Sequence, residues 1–129
     1  MDDLVKYRLE SAAEKLKSAK ILLDNGQYKD SIGRSYYALF TAVRAVLALE
    51  NVDYAKHAGV ISHFQREYIK TGRFETKYSR YLQRAFQIRN SCDYDDFYLI
   101  SKQDAEEQFE HAQEMVSVIR SFIEKKDDI

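Results

Sequence analysis

The chain contains no proline and only four glycines in 129 residues, and that pair of absences bounds what it can fold into. Proline breaks helices outright, and tight hairpin turns draw on glycine with positive φ, so long helices run uninterrupted here while β-hairpins have almost nothing to turn on. The fold class is therefore all-α. One domain spanning residues 1–129 is enough, since a chain of this size buries roughly two thirds of the surface its unfolded form exposes. No internal repeat, low-complexity tract or linker marks a second domain.

Apolar spacing places the helices. Val5, Leu9, Ala12, Leu16, Ala19 and Leu23 recur at alternating steps of four and three, an amphipathic stripe that stops at "DNG", where Gly26 can take the left-handed conformation that ends a helix. Ala105, Phe109, Ala112, Val116, Ile119 and Ile123 repeat the pattern near the other end, with Ser101 as the expected N-cap and Asp104 three residues on. These terminal helices are expected to pair. The segment "SIGRSYYALFTAVRAVLAL", Ser31 to Leu49, carries only two charges, Arg34 and Arg44, so it should be the central helix, covered on most sides. A shorter helix around "HAGVISHFQREYI" ends at Thr71 and Gly72, and another runs from about Glu75 to Cys92. Short connections favour antiparallel neighbours, which gives an up-and-down bundle with four core helices and one short accessory helix.

Charge sets limits on partners. The 20 basic and 21 acidic residues nearly cancel, so no global field draws the protein to nucleic acid or to a membrane, and any anion site must be local. A single cysteine, Cys92, excludes an internal disulfide framework, and the start "MDDLVKYRLE" lacks the apolar run of a signal peptide or membrane span. A soluble cytoplasmic protein without membrane attachment is expected.

Against that background "AFQIRNSCDYDDFY", residues 85 to 98, is unusual. Tyr78, Leu82, Ala85, Arg89 and Cys92 share one helical stripe, which aims the Arg89 guanidinium at the bundle, where a charge cannot be left without a partner. Asp93 lies one turn on. Arg34, Tyr37, Thr41 and Arg44 form a second stripe of hydrogen-bonding side chains on the central helix, and two polar stripes on core-facing helices imply one polar cleft. The cleft is either a buried network of Arg34, Arg89, Asp30 and Asp93 or a site that meets phosphate, and spacing alone leaves both open.

The segments "YKDSIGRSYYALFTAVRAVL", "KHAGVISHF", "YIKTGRF" and above all "RNSCDYD" (Arg89 to Asp95) resemble the HEPN superfamily, the higher-eukaryote and prokaryote nucleotide-binding domains. The resemblance spans four helices in order and points to an uncharacterised prokaryotic branch marked by R-x-x-x-D-Y. It implies a small helical domain of toxin-antitoxin and defence systems, a homodimer whose motif faces form a shared groove, and a minimal nucleotidyltransferase as partner. In ribonuclease members the resemblance assigns the arginine to the scissile phosphate and a histidine a few residues on to metal-independent acid–base work. Here Arg89 and the Asn90 that often follows it are present, but positions five to seven after Arg89 are Tyr94, Asp95 and Asp96. A phenol with a pKa of about 10 is a poor base at neutral pH, and a carboxylate repels a phosphodiester. The expectation is a non-catalytic module binding nucleotide, RNA or a partner protein, with a degenerate ribonuclease toxin and a purely structural bundle as the alternatives.

The expected phosphate cleft comprises Arg34, Tyr37, Arg89, Asn90, Asp93 and Tyr94, with His57, Arg44 and Asp95 as accessory candidates; Tyr98 is a further stacking candidate. His57 matches a position where the family branch carries histidine, and a place at the start of a helix serves it equally. His63 and His111 are expected to be solvated, Tyr36, Tyr78 and Tyr81 to belong to the core, and Cys92 to be an inert small hydrophobe. Three histidines without ligand spacing and aspartates on a turn make no metal site, and no cofactor is expected.

Overall fold

The computed structural model describes residues 1–127. It contains α1 (Asp3–Asp24), α2 (Tyr28–Ala48), α3 (His57–Phe64), α4 (Lys77–Tyr94) and α5 (Lys102–Asp127), with a short π-helical continuation of α3 at Gln65–Ile69. No strand occurs among the described residues. The five helices pack as an all-α bundle, and no helix is long and apolar enough to cross a membrane.

Local chemistry sets the helix ends. Asp2 caps α1 by accepting from the Leu4 amide at 2.7 Å. At the other end Gly26, at φ +76°, completes a Schellman turn in which Gln27 N–H bonds Leu22 C=O and Gly26 N–H bonds Leu23 C=O. The turn is tight enough that α2 starts at Tyr28, three residues before the apolar pattern becomes visible. Ser101 and Asp104 form the expected reciprocal capping box, Asp104 N–H to Ser101 Oγ at 3.0 Å and Ser101 N–H to Asp104 Oδ2 at 3.4 Å.

Helix α2 is the centre. Ile32, Tyr36, Leu39, Val43 and Val46 are each at most 1% exposed, and α2 packs against α1, α3, α4 and α5. Its alanines at 38, 42 and 45 are also buried, which lets neighbouring helices approach closely. The terminal helices do touch, but both lie mainly on α2 rather than on each other. Their stripes aim at whatever apolar surface is largest, and that surface is α2, with 13 buried residues.

The connection between α2 and α3 is pinned by one carboxylate. Asp53 Oδ2 receives Arg44 Nη2 at 2.6 Å and Arg8 Nη2 at 3.1 Å, and Oδ1 receives the Tyr54 amide at 2.9 Å. The Arg44 hydrogen bond, with help from the Tyr54 amide and Arg8, holds the Asp53 carboxyl down from 3.8 to about 2. A depressed folded-state value stabilises the fold above pH 3.8, and that contribution is lost as pH falls through about 2. Asp53 is half exposed, so solvent screens much of the effect. In acid denaturation followed by circular dichroism, Asp53→Asn should flatten the stability loss between pH 4 and 2 relative to wild type.

Candidate functional site

Arg89 projects from α4 toward α2, as its stripe requires, and its guanidinium is held on every side. Nη2 donates to Tyr37 Oη at 2.9 Å, Nη1 donates to Asn90 Oδ1 at 3.2 Å, and Nε lies 2.8 Å from Asp93 Oδ2. That last contact is an ion pair by distance; the Nε–H is not aimed at the carboxylate and has no other acceptor. The guanidinium carbon also sits 5.2 Å from the Tyr37 ring centroid and 5.6 Å from that of Tyr36, within cation–π range of both. With its side chain only 16% exposed, Arg89 is a pre-positioned charge rather than a waving one.

Arg34, Tyr37, Arg89 and Asp93 line one groove of about 560 Å³, joined by Lys29 and Asp30. Spacing therefore identified the grouping, with Lys29 as a member it missed. Three cations face two carboxylates there. The four-membered buried network does not form: Arg34 is exposed and, among the described residues, has neither ion pair nor hydrogen bond, and Asp30 is exposed. Of the four charges only Arg89 and Asp93 pair.

Other candidates fall elsewhere. Arg44 lies ten residues, hence about 15 Å along the helix axis, from Arg34, and it is committed to Asp53 in a different groove. Tyr94 is 73% exposed at the last turn of α4, and Asp95, in an extended conformation just beyond it, is exposed. Neither lines the Arg89 groove. Tyr98 is half-buried in the connection that follows.

His57 takes the helix-start place the sequence allowed and not a place in the Arg89 cleft. It is the first residue of α3, and its Nδ1 lies 2.8 Å from Tyr36 Oη, with its ring 4.1 Å from that of Phe40. Burial pushes the imidazole pKa down, and the Arg89 and Arg44 charges push it further. Burial also pushes the Tyr36 phenol up, so the pair is held as a hydrogen bond between two neutral groups. His57 is not among the side chains lining the Arg89 groove.

Two histidines expected in solvent are not there. His63 is 7% exposed, bonded to Glu50 and Tyr54, and His111 stacks on Tyr81 with centroids 3.8 Å apart. Both occur next to apolar stripes, and their partners come from distant segments that spacing does not reveal. Tyr36 and Tyr78 are core as expected, while Tyr81 is half-buried. Cys92 is half-buried against Leu23, Ile32, Ile88 and Ala105, and burial raises its thiol pKa. Among the described residues no set of three His, Cys, Asp or Glu side chains could hold a metal ion.

A family model described as HEPN domain matches residues 5–122. A UPF0332 protein of Thermotoga maritima is 30% identical over 123 residues, covering 95% of this chain and 93% of the relative. Two Methanocaldococcus jannaschii proteins, each named as a toxin candidate, are 38% identical over 86 residues and 32% identical over 98. Those matches cover 67% and 76% of this chain, and 64% and 67% of the respective relatives.

Proposed function

The chain belongs to the HEPN family, and from that membership we propose that it is a non-catalytic binding component of a toxin-antitoxin-like pair, docking a phosphate of RNA or nucleotide in the Arg34–Arg89 groove. The observation that carries the reading is the free Arg34 guanidinium beside a fixed Arg89, in a groove whose lining includes no imidazole. Arg89 supplies orientation through Tyr37 and Asn90, and Arg34 supplies charge not already neutralised. The names of the M. jannaschii relatives support a toxin-like setting. A minimal nucleotidyltransferase is the partner this reading assigns, and the protein acts as a homodimer whose two grooves adjoin. Sedimentation velocity at tens of micromolar should then give a dimer; monomer alone at that concentration removes the composite groove.

Fluorescence anisotropy with a labelled single-stranded RNA tests the binding itself. Wild type should bind weakly, with log affinity falling linearly in log salt. Losing one charge-assisted phosphate contact should weaken binding about tenfold or more in Arg89→Ala, and Arg34→Ala should lower the salt slope. Equal affinity of wild type and both variants would move the site elsewhere.

A further inference from the structure

A second set of titratable side chains meets where the end of α2, the connection to α3 and the π-helical turn come together. His63 Nε2 lies 3.1 Å from Glu50 Oε2, which also accepts from Tyr68 Oη at 2.7 Å. His63 Nδ1 lies 2.9 Å from Tyr54 Oη and 3.4 Å from Arg66 Nη2. These partners assign the tautomer. The Tyr68 hydrogen bond holds the Glu50 carboxyl below its usual range, so Glu50 is an acceptor only, and a guanidinium can only donate. Nε2 therefore carries the hydrogen, Nδ1 is bare, and the Tyr54 hydroxyl must point its proton at it. The order hydroxyl, imidazole, carboxylate is that of an activated nucleophile, its base and the group that orients the base.

The phenol is also held in place. A Cβ on Gly59 would come within 2.9 Å of the Tyr54 ring, so the absence of a side chain at 59 lets the ring lie against α3. Tyr54 is 41% exposed and lines a groove of about 460 Å³ with Phe40, Arg44, Asp53, Ala55 and His57. The phenol oxygen thus has a base beside it, on a side chain that stays 41% exposed.

We propose that Tyr54 is a nucleophile, with His63 as its base and Glu50 orienting that base, which accepts an acyl group from an activated ester or thioester. Tyr54 Oη bonds to the acyl carbon, and the bond from that carbon to the leaving oxygen or sulfur breaks. The phenolic proton moves to His63 Nδ1 and from there to the leaving group, while Glu50 stabilises the transient imidazolium. Arg66 lies within hydrogen-bonding reach of both Tyr54 and His63. The assignment uses none of the residues of the Arg89 groove and stands or falls apart from it.

The full chain is incubated with p-nitrophenyl acetate, digested, and its tyrosines mapped by mass spectrometry. Tyr7 and Tyr94, at 68% and 73% exposed and without an imidazole partner, are internal references. General-base assistance should make Tyr54 acetylation at least about tenfold faster than theirs. Glu50→Gln keeps an acceptor for Tyr68 and His63 but removes the charge; it should slow Tyr54 about tenfold and leave Tyr7 and Tyr94 unchanged. Labelling of Tyr54 no faster than the references, or unchanged by Glu50→Gln, overturns the proposal.

Discussion

Leu39→Ala is expected to lower the unfolding free energy by about 2 to 5 kcal/mol, the range for a leucine truncated in a core that cannot collapse around the gap. Leu39 has no exposed surface and lies midway along α2, the helix that every other helix touches. Relaxation to fill the void would have to move α2 itself, and α2 is clamped from several sides. A domain of this size has about 5 to 15 kcal/mol in total, so the variant gives up a large share of it. Leu99→Ala is the control: Leu99 is 88% exposed, and its truncation should stay within about 0.5 kcal/mol of wild type. Urea melts of the two variants decide it. A Leu39 loss no larger than the Leu99 loss would mean that α2 is not the packed centre.

That centrality could be read from the chain because burial leaves a compositional trace. A helix with two arginines in nineteen residues has only a narrow polar stripe to give to water. The caps were legible for the same reason: Gly26 at φ +76° and the Ser101–Asp104 box depend on neighbours within three residues. Arg89 and Asp93 were legible as an i, i+4 pair on one face, and Tyr37 as the residue facing them from α2. What spacing could not supply was anything decided by helix offset. Arg34 and Arg44 share a stripe, yet one lines the Arg89 groove and the other belongs to Asp53, since a stripe gives direction around the axis but not which partner waits at each level. His63 shows the same limit. Its partners Glu50 and Tyr54 lie 13 and 9 residues away across an irregular connection, and no periodicity links them.

The largest functional contrast expected is between wild type and Tyr94→His in RNA cleavage. Metal-independent cleavage needs a group that exchanges a proton with the attacking 2′-hydroxyl near neutral pH, and such a group contributes about 10² to 10⁴ in rate. The Arg89 groove has guanidiniums, a phenol and carboxylates but no imidazole in its lining. His57 is close, but its Nδ1 is taken by Tyr36 Oη, and burial and two arginines disfavour its charged form. Wild type should therefore leave a panel of structured RNAs uncut in EDTA, with Arg89→Ala indistinguishable from it. Tyr94→His places an imidazole five residues after Arg89, at the exposed end of α4, where the ribonuclease pattern of the family has its histidine. That variant should gain cutting, and Arg89→Ala added to it should abolish the gain, because the imidazole can move a proton only for a phosphate that the guanidinium holds. Cutting by wild type that disappears in Arg89→Ala would reverse the reading: the groove would then be a ribonuclease centre working without the motif histidine, and His57, the nearest imidazole, would be the first residue to replace.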